Sequence, residues 1–299
     1  MTLPDPIQLA GPAFILLVLI EIIAARWFAR DAYELKDAAA SLTMGFVNGI
    51  ELIFAGGVLY AVFSAVGQWR LFDIDYRWWA FLLLFFAEDL CFYWFHRFSH
   101  EHRVWWAVHV SHHSSQHYNL TTALRQPWFG TVALIWLPWL PLALIGFPVP
   151  MILFQKAVNL VYQFWIHTEL IGRMPRWFEA VFNTPSHHRV RHASNPRYLD
   201  ANYGGTLIIW DRLFGTFIGE SEEEPCRFGI IRNIGSFNPF HIVTHEWRNL
   251  FRDLITAPGW RTRLAYLVRP PGWNPDGSGR TSAILKAEWQ QNKSRETIR

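Results

Sequence analysis

Five long apolar stretches constrain the fold of this chain more than any other feature of its sequence. They cover residues 9–28, 39–67, 78–95, 129–147 and 148–166. Each approaches or exceeds the roughly 20 residues that a helix needs to cross a bilayer. Because lipid offers no hydrogen-bond partners to the backbone, such segments are expected to be helical. The pattern therefore predicts an all-α fold, that of a polytopic helical membrane protein.

The connection between the fourth and fifth stretches is short. Only Gly146, Phe147 and Pro148 mark it, so a tight hairpin that does not fully cross the membrane is an open alternative to two spans. The first stretch has no basic segment before it and no small-residue cleavage site after it. We therefore expect a retained helix there rather than a signal peptide.

The composition supports a membrane location and argues against some functions. Only 17% of the residues are charged, whereas soluble domains carry about 25%. A net charge of +3, without a basic stripe, argues against a nucleic-acid partner. The two cysteines, Cys91 and Cys226, form neither a CxxC metal motif nor a disulfide framework.

Basic residues set the expected orientation. Residues 1–8 carry no Lys or Arg, and the basic residues that follow the first and third stretches are Arg26, Arg30, Lys36, Arg97, Arg103 and Arg125. The positive-inside rule then places the N-terminus outside and these two loops in the cytoplasm. We expect N-terminal transmembrane helices over 1–77, a catalytic core with membrane and cytoplasmic parts over 78–220, and a cytoplasmic helical region and tail over 221–299.

Histidines cluster at the expected cytoplasmic ends of these stretches. The patterns are His96-x3-His100, His109-x2-His112-His113 and His188-x2-Arg191-His192, and His167 follows the fifth stretch. Residues three and four apart share one face of a helix, so each cluster projects its imidazoles together. The candidate metal ligands are His96, His100, His109, His112, His113, His167, His188 and His192. One metal would be over-supplied, so we expect a cytoplasmic helical cap that holds a histidine-rich two-metal site.

Nitrogen ligands alone do not choose among iron, copper and zinc. Asp89 lies on the helical stripe of His96 and could accept the second N–H of a ligating imidazole. A pairing of the Asp89 carboxylate with Arg97 or with a neighbouring helix is an equally open alternative. The histidines expected to be core or surface residues rather than ligands are His102, His117, His241 and His245.

The segments around these histidines resemble the fatty acid hydroxylase/sterol desaturase superfamily, and most of all its alkylglycerol (glyceryl-ether) monooxygenase branch. The matching segments are 92–97 (FYWFHR), 111–115 (SHHSS), 118–126 (YNLTTALRQ), 164–169 (FWIHTE), 182–190 (FNTPSHHRV), 202–205 (NYGG) and 210–217 (WDRLFGTF). The resemblance implies an integral membrane di-iron oxygenase that hydroxylates a lipid C–H bond, or desaturates the lipid, and in which the eight histidines are ligands. Asn202 and Asp211 lie in matching segments and are expected, with Asp89, to support the ligands.

The resemblance also implies partners and a location. Two iron ions would be the cofactors and O2 the co-substrate, with electrons from tetrahydrobiopterin or from a cytochrome b5 or ferredoxin-type carrier. The substrate would be a membrane lipid: an ether lipid, a fatty acyl chain, a sterol or an aminolipid. We expect a bacterial inner membrane with the active site facing the cytoplasm, or the endoplasmic reticulum for a eukaryotic chain. Candidates to hold a lipid headgroup are Arg125, Arg189 and Arg197.

Arg191 departs from the family pattern, which reads His-x2-His-His. A guanidinium has no acceptor lone pair and cannot ligate a metal. Three outcomes are open: the site works with one ligand fewer, His187 substitutes for the missing histidine, or one iron binds weakly and the protein is impaired. If the missing histidine weakens iron binding, Arg191→His should raise the iron content. The competing functions are a non-catalytic lipid- or metal-binding membrane protein and a zinc hydrolase.

Overall fold

The computed structural model describes residues 3–28 and 32–297, and Arg30 lies outside them. Within these residues the chain is helical, with isolated β-bridges but no strand. The helices are α1 (Pro6–Trp27), α2 (Leu35–Gly67), α3 (Trp78–Glu101), α4 (Arg103–His113), α5 (Leu140–Ile145), α6 (Val149–Trp165), α7 (Arg176–Val181), α8 (Pro185–His192), α9 (Ile209–Leu213), α10 (Pro239–Thr256), α11 (Trp260–Val268) and α12 (Ser282–Thr297). The predicted all-α class is confirmed.

Three of these helices, α1, α2 and α3, are long and apolar enough to cross a membrane. Asp5 caps the first of them by accepting the backbone N–H of Ile7 at 2.9 Å. Many large apolar side chains on α1 and α2, such as Ile15 and Phe54, are exposed. Such surfaces are unfavourable in water and suit contact with lipid chains.

Within the described residues, the fourth and fifth apolar stretches do not form helices long enough to count as candidate spans. Residues 129–147 form turns, a 3₁₀ turn and the six-residue helix α5, because Pro138 and Pro141 interrupt a longer helix. The 17-residue helix α6 buries polar side chains, including Asn159 and Gln163. Between α5 and α6 the chain turns at Gly146, whose φ of +125° and close approach to the Phe72 carbonyl favour glycine. The hairpin alternative is thus the better description.

The helix α10 joins the C-terminal region to the rest of the molecule. Arg103, at the start of α4, forms buried ion pairs with Glu246 at 2.9 Å and Asp253 at 2.7 Å, both on α10. The same helix buries Ile242 and Val243 in one cluster with residues of α2. These contacts place α10 beside both α4 and the N-terminal part of α2.

Candidate metal centre

The eight candidate histidines lie in two groups of four. The first group is His96, His100, His109 and His113; the second is His112, His167, His188 and His192. In each group the four potential ligand atoms lie within 4.8 Å of one another, and every member is buried. The two groups adjoin, since the rings of His113 and His192 stack at 4.5 Å.

In the first group the imidazoles converge through their Nε2 atoms. His109 Nε2 lies 2.8 Å from His96 Nε2 and 2.9 Å from His113 Nε2. His113 Nε2 lies 3.2 Å from His100 Nε2. Nitrogen ligands around one metal at roughly 2.0–2.1 Å are themselves about 3 Å apart. The spacing therefore fits one metal ion among these four rings.

The second group has the same character. His167 Nε2 lies 2.9 Å from His188 Nε2 and 3.5 Å from His112 Nε2. His192 Nε2 is buried and has no hydrogen-bond partner within the described part of the chain. A buried ring nitrogen without a partner is costly unless something binds it. Its position beside three other imidazoles is suited to a metal ion.

Outer hydrogen bonds orient several of these rings. The Nδ1 atoms of His96, His112 and His167 lie 3.1, 3.2 and 2.7 Å from the carbonyl oxygens of Tyr203, Arg125 and Gln163, respectively. A carbonyl only accepts, so each Nδ1–H donates and each Nε2 of the neutral ring keeps its lone pair. The Nδ1 of His100 instead lies 3.3 Å from the carboxylate of Asp200. The lone pairs thus face the centre of each group, as metal ligation requires.

Burial also keeps the imidazoles neutral. It lowers the pKa of His112 to about 4, and the neighbouring Arg191 contributes to that lowering. Burial likewise lowers the pKa of His109 and His188 well below the ordinary value. Protonated rings would repel one another and could not bind metal, so the neutral rings are ready to act as ligands without losing a proton.

The expected supporting residues Asp89, Asn202 and Asp211 do not contact the imidazoles. Asp89 accepts the backbone N–H groups of Thr206 and Leu207 at 2.7 and 3.0 Å, and the indole N–H of Trp210. It does not pair with Arg97 either, since that guanidinium binds Glu101 at 2.9 Å. A buried carboxylate needs several donors, and an adjacent loop supplies them.

Asn202 and Asp211 shape that same loop. Asp211 accepts the backbone N–H groups of Tyr203 and Gly204, each at 2.7 Å. Asn202 donates to the carbonyls of His187 and Ile218. Their effect on the ligands is indirect, because the loop presents the Tyr203 carbonyl to His96. The sequence analysis did not identify Asp200, Tyr203 and Gln163 as hydrogen-bond partners of the imidazoles. Of these, only Gln163 could have been found from spacing, because it lies one helical turn before His167.

Arg191 lies between the groups without belonging to either. Its guanidinium is buried and donates to the carbonyl oxygens of Asn202 and Gly204. Burial lowers its pKa to about 10, so it stays protonated at neutral pH. Each group has four histidines without a contribution from position 191. The missing box histidine therefore leaves neither group short of four nitrogen donors.

The structure gives no support to His187 as a substitute for the missing histidine. Its Nε2 lies 3.9 Å from a carboxylate oxygen of Glu179, and its ring packs edge-on against Phe217. It belongs to neither group of converging ligand atoms. The physical reason is helical geometry: in α8, position 187 is one residue away from His188, on a different face.

The candidate headgroup arginines are mostly engaged elsewhere. Arg125 is buried and forms an ion pair with Asp37 at 3.0 Å. Arg189 binds both carboxylate oxygens of Glu220, at 2.8 and 2.7 Å. Arg197 lies over the rings of Tyr198 and Trp289. The internal ion pairs of Arg125 and Arg189 tie the surrounding loops together, which leaves those two guanidiniums unavailable to a headgroup.

A cavity of about 850 Å³ lies against the centre. Its lining includes His100 and His113 of the first group and His192 of the second. His241 and His245 also line it, but neither belongs to the two groups, as expected for non-ligands. The candidate centre is therefore reachable from a space large enough for a small organic molecule or a lipid segment.

The fold and the histidine groups define a helical membrane protein with a candidate two-metal centre. The sequence model of the fatty acid hydroxylase family matches residues 81–216, which contain all eight histidines. This match, which covers under half of the chain, confirms the resemblance seen in the sequence.

Relatives of known activity agree with the alkylglycerol monooxygenase branch. An alkylglycerol monooxygenase of Xenopus tropicalis is 37% identical over 267 residues, which cover 87% of this chain and 58% of the relative. The human alkylglycerol monooxygenase is 37% identical over 264 residues, covering 86% and 57%. An ornithine lipid hydroxylase of Rhizobium tropici is 32% identical over 213 residues, covering 68% and 63%. The chain thus spans under two thirds of each of these relatives, and no solved structure is detectably similar to it.

Proposed function

We propose that this chain is an oxidoreductase that hydroxylates a C–H bond of a membrane lipid, using O2 and external electrons at a di-iron centre. The observation that carries this proposal is the pair of adjoining groups, each with four converging imidazoles. The names of the relatives, alkylglycerol monooxygenase and ornithine lipid hydroxylase, add support for oxygen insertion into a lipid.

The donor set fits a pair of transition-metal ions. Eight buried and largely neutral imidazoles suit iron, copper or zinc, whereas calcium and magnesium prefer oxygen ligands. Iron is favoured over zinc here because hydroxylation by O2 needs a redox-active metal. When bound, the metal pair would activate O2, the oxidant, so that with external electrons one oxygen atom enters the lipid and the other leaves as water. The protein would supply binding, orientation and exclusion of bulk water.

The residues of the chain have defined parts in this proposal. The carbonyls of Tyr203, Arg125 and Gln163 hold three rings in the orientation that a metal needs. Tyr118, which is buried and stacks beside His167, closes the second group against water. Because the first group includes the last turns of α3, a candidate spanning helix, a lipid from the same membrane could reach it.

Several finer features belong to the same proposal. The electron donor is a reduced pterin or an electron-transfer protein of the cytochrome b5 or ferredoxin type. The location is a cell membrane with the histidine groups on the cytoplasmic side, a bacterial inner membrane being favoured. Desaturation is the second candidate reaction, since it also begins with removal of hydrogen from an unactivated carbon.

The direct test is turnover of lipid by the full chain in detergent micelles. Supplied with a reductant and a membrane lipid extract, the protein should consume O2 and yield a lipid heavier by one oxygen atom. A product lighter by two hydrogen atoms would identify a desaturase instead. His109→Ala should abolish both O2 consumption and formation of the oxidised lipid. His117→Gln, at a histidine outside both groups, should retain them. O2-independent lipid hydrolysis with bound zinc would refute the proposal.

A further inference from the structure

The cavity beside the metal centre is lined both by candidate metal ligands and by apolar side chains. The candidate ligands in its lining are His100, His113 and His192. Val110, Ile230 and Ile234 contribute apolar surface to its walls. An apolar chain could therefore lie in the cavity with one of its carbon atoms close to the histidine groups.

The outer part of the cavity carries guanidinium groups without acidic partners. Arg232 and Arg248 both line it and both are exposed. Arg248 donates to the ring of His241 at 2.7 Å, and neither arginine pairs with a carboxylate within the described ranges 3–28 and 32–297. Unpaired guanidiniums offer planar, charged donors that match phosphate or carboxylate oxygens.

The carboxylates of the same lining are already engaged. Asp200 lies 3.3 Å from the Nδ1 of His100, and Glu246 forms its ion pair with Arg103. Two further arginines line the cavity and both are engaged: Arg280 pairs with a glutamate outside it, and Arg191 donates to backbone carbonyls. The exposed lining guanidiniums that have no carboxylate partner in the described part of the chain are those of Arg232 and Arg248.

The helix α10 relates this part of the cavity to the membrane. One side of the helix lines the cavity, and a second side packs Ile242 and Val243 beside α2, a candidate spanning helix. A third side exposes Phe240, Phe251 and Ile255, with 64%, 56% and 76% of each side chain accessible. An apolar helix face beside a spanning helix is suited to the lipid interface. The cavity would then open at the level of lipid headgroups.

We propose that Arg232 and Arg248 bind the anionic headgroup, a phosphate or carboxylate, of a membrane lipid whose chain enters the cavity towards the histidine groups. The proposal rests on the proposed function, because it names the substrate class of that site. Both arginines lie beyond residue 216, where the family match ends. The headgroup preference would therefore be set by the C-terminal region rather than by the histidine core.

The test is binding without turnover, measured on the full chain in neutral detergent under anaerobic conditions and without reductant. Two probes share one alkyl chain and differ in headgroup, a phosphate monoester or a glycerol. We expect the alkyl phosphate to bind about tenfold more tightly than the alkylglycerol, as a charge-assisted contact can provide. Arg232→Gln combined with Arg248→Gln should remove this preference and leave alkylglycerol binding unchanged.

Arg252→Gln is the matched control, because Arg252 is an exposed arginine on α10 that does not line the cavity. It should keep the full preference. Equal binding of both lipids by the unmodified protein, or an equal loss in Arg252→Gln, would overturn the proposal. Inorganic phosphate bound as tightly as the alkyl phosphate would point to a soluble anion and also overturn it. If the protein shows the headgroup preference but never oxidises a lipid, the proposed function is refuted, whereas the proposed headgroup site is supported.

Discussion

The two histidine groups have the same composition but are built in different ways. The first takes its four ligands from α3 and α4, which are consecutive in the chain and packed together. The second takes His112 from α4, His167 from just beyond the end of α6, and its other two ligands from α8. It therefore spans residues 112–192. Local helical spacing determines much of the first group, whereas the second depends on the tertiary packing of distant segments.

The outer contacts of the groups differ as well. His100 in the first group meets the side chain of Asp200, whereas His96 in the same group and His112 and His167 in the second meet backbone carbonyls. A side-chain partner can be removed by substitution, but a backbone partner can only be displaced with its loop. Removal of the Asp200 side chain should therefore act locally on the first group.

The largest expected effect is that of removing one ligand from either group. His109→Ala should weaken metal binding in the first group and His188→Ala in the second, because each removes one of four nitrogen donors and leaves a buried gap. We expect activity to fall by roughly 100-fold or more in both, since even outer partners of metal ligands can matter up to about 100-fold. The measurement is metal content together with lipid oxidation.

The comparison predicts a difference between these two variants in stability. The buried gap in His109→Ala should lower the unfolding temperature of the metal-free protein only modestly, because α3 and α4 remain packed. His188→Ala should unfold at a lower temperature, since its ring joins distant segments. Equal destabilisation of the two metal-free variants would break the contrast between a local and a tertiary group.

Asp200→Asn should have the next largest effect, confined to the first group. The amide cannot accept as strongly from the Nδ1–H of His100, so the imidazole loses orientation and basicity. We expect metal affinity to fall by about 10- to 100-fold at one of the two sites. Competition with a chelator would measure it, and a loss of both metals together would show that the groups do not act separately.

Arg191→His tests the role of the arginine that stands where the family pattern has a histidine. The sequence alone predicted that this substitution raises the iron content, but the contacts of Arg191 predict that the iron content does not rise. Removing its guanidinium leaves the buried carbonyl of Asn202 without its donor, at a cost of about 1–3 kcal/mol, whereas the carbonyl of Gly204 keeps a donor in the amide of Asn183. Thermal unfolding should occur at a lower temperature in this variant, and metal content should not rise. A rise in iron content would restore the interpretation of a missing ligand.

The smallest expected effect is a pH dependence of the metal-free protein. The pKa of His112 is lowered from an ordinary 6.5 to about 4, so the folded state prefers the neutral ring. This contribution to stability is fully present above pH 6.5 and is lost as the pH falls towards 4. Denaturant unfolding across this range should reveal it. His112→Gln should reduce the loss of stability at low pH without abolishing it, because burial also lowers the pKa of His109 and His188. An unchanged profile in this variant would contradict a buried neutral His112.

Much of the fold followed from simple patterns. Apolar runs of spanning length predicted α1, α2 and α3, and the hydrogen-bonding requirement of a lipid environment predicted helices. The sequence left open whether the run over 129–147 forms a span or part of a hairpin, because its apolar content hid two helix-interrupting prolines, Pro138 and Pro141. Hydropathy measures how willingly a segment leaves water, not whether its backbone can form one continuous helix.

The candidate site could be anticipated in its ligands but not in its surroundings. Helical spacing identified histidines such as His96 and His100 because metal binding needs rings on one face. Asp200 carried no comparable signal, since a loop brings it to His100 from a hundred residues away. Arg125 and Arg189 seemed free in the sequence, because their carboxylate partners lie far along the chain.

Counting the metals in the purified full chain tests the central claim most directly. Two irons per chain in the unmodified protein, with about one left in His109→Ala and about one in His188→Ala, is the predicted result. His117→Gln should keep both. A single metal that disappears from both histidine variants, or zinc in place of iron, would contradict a di-iron centre built from two separate four-histidine groups.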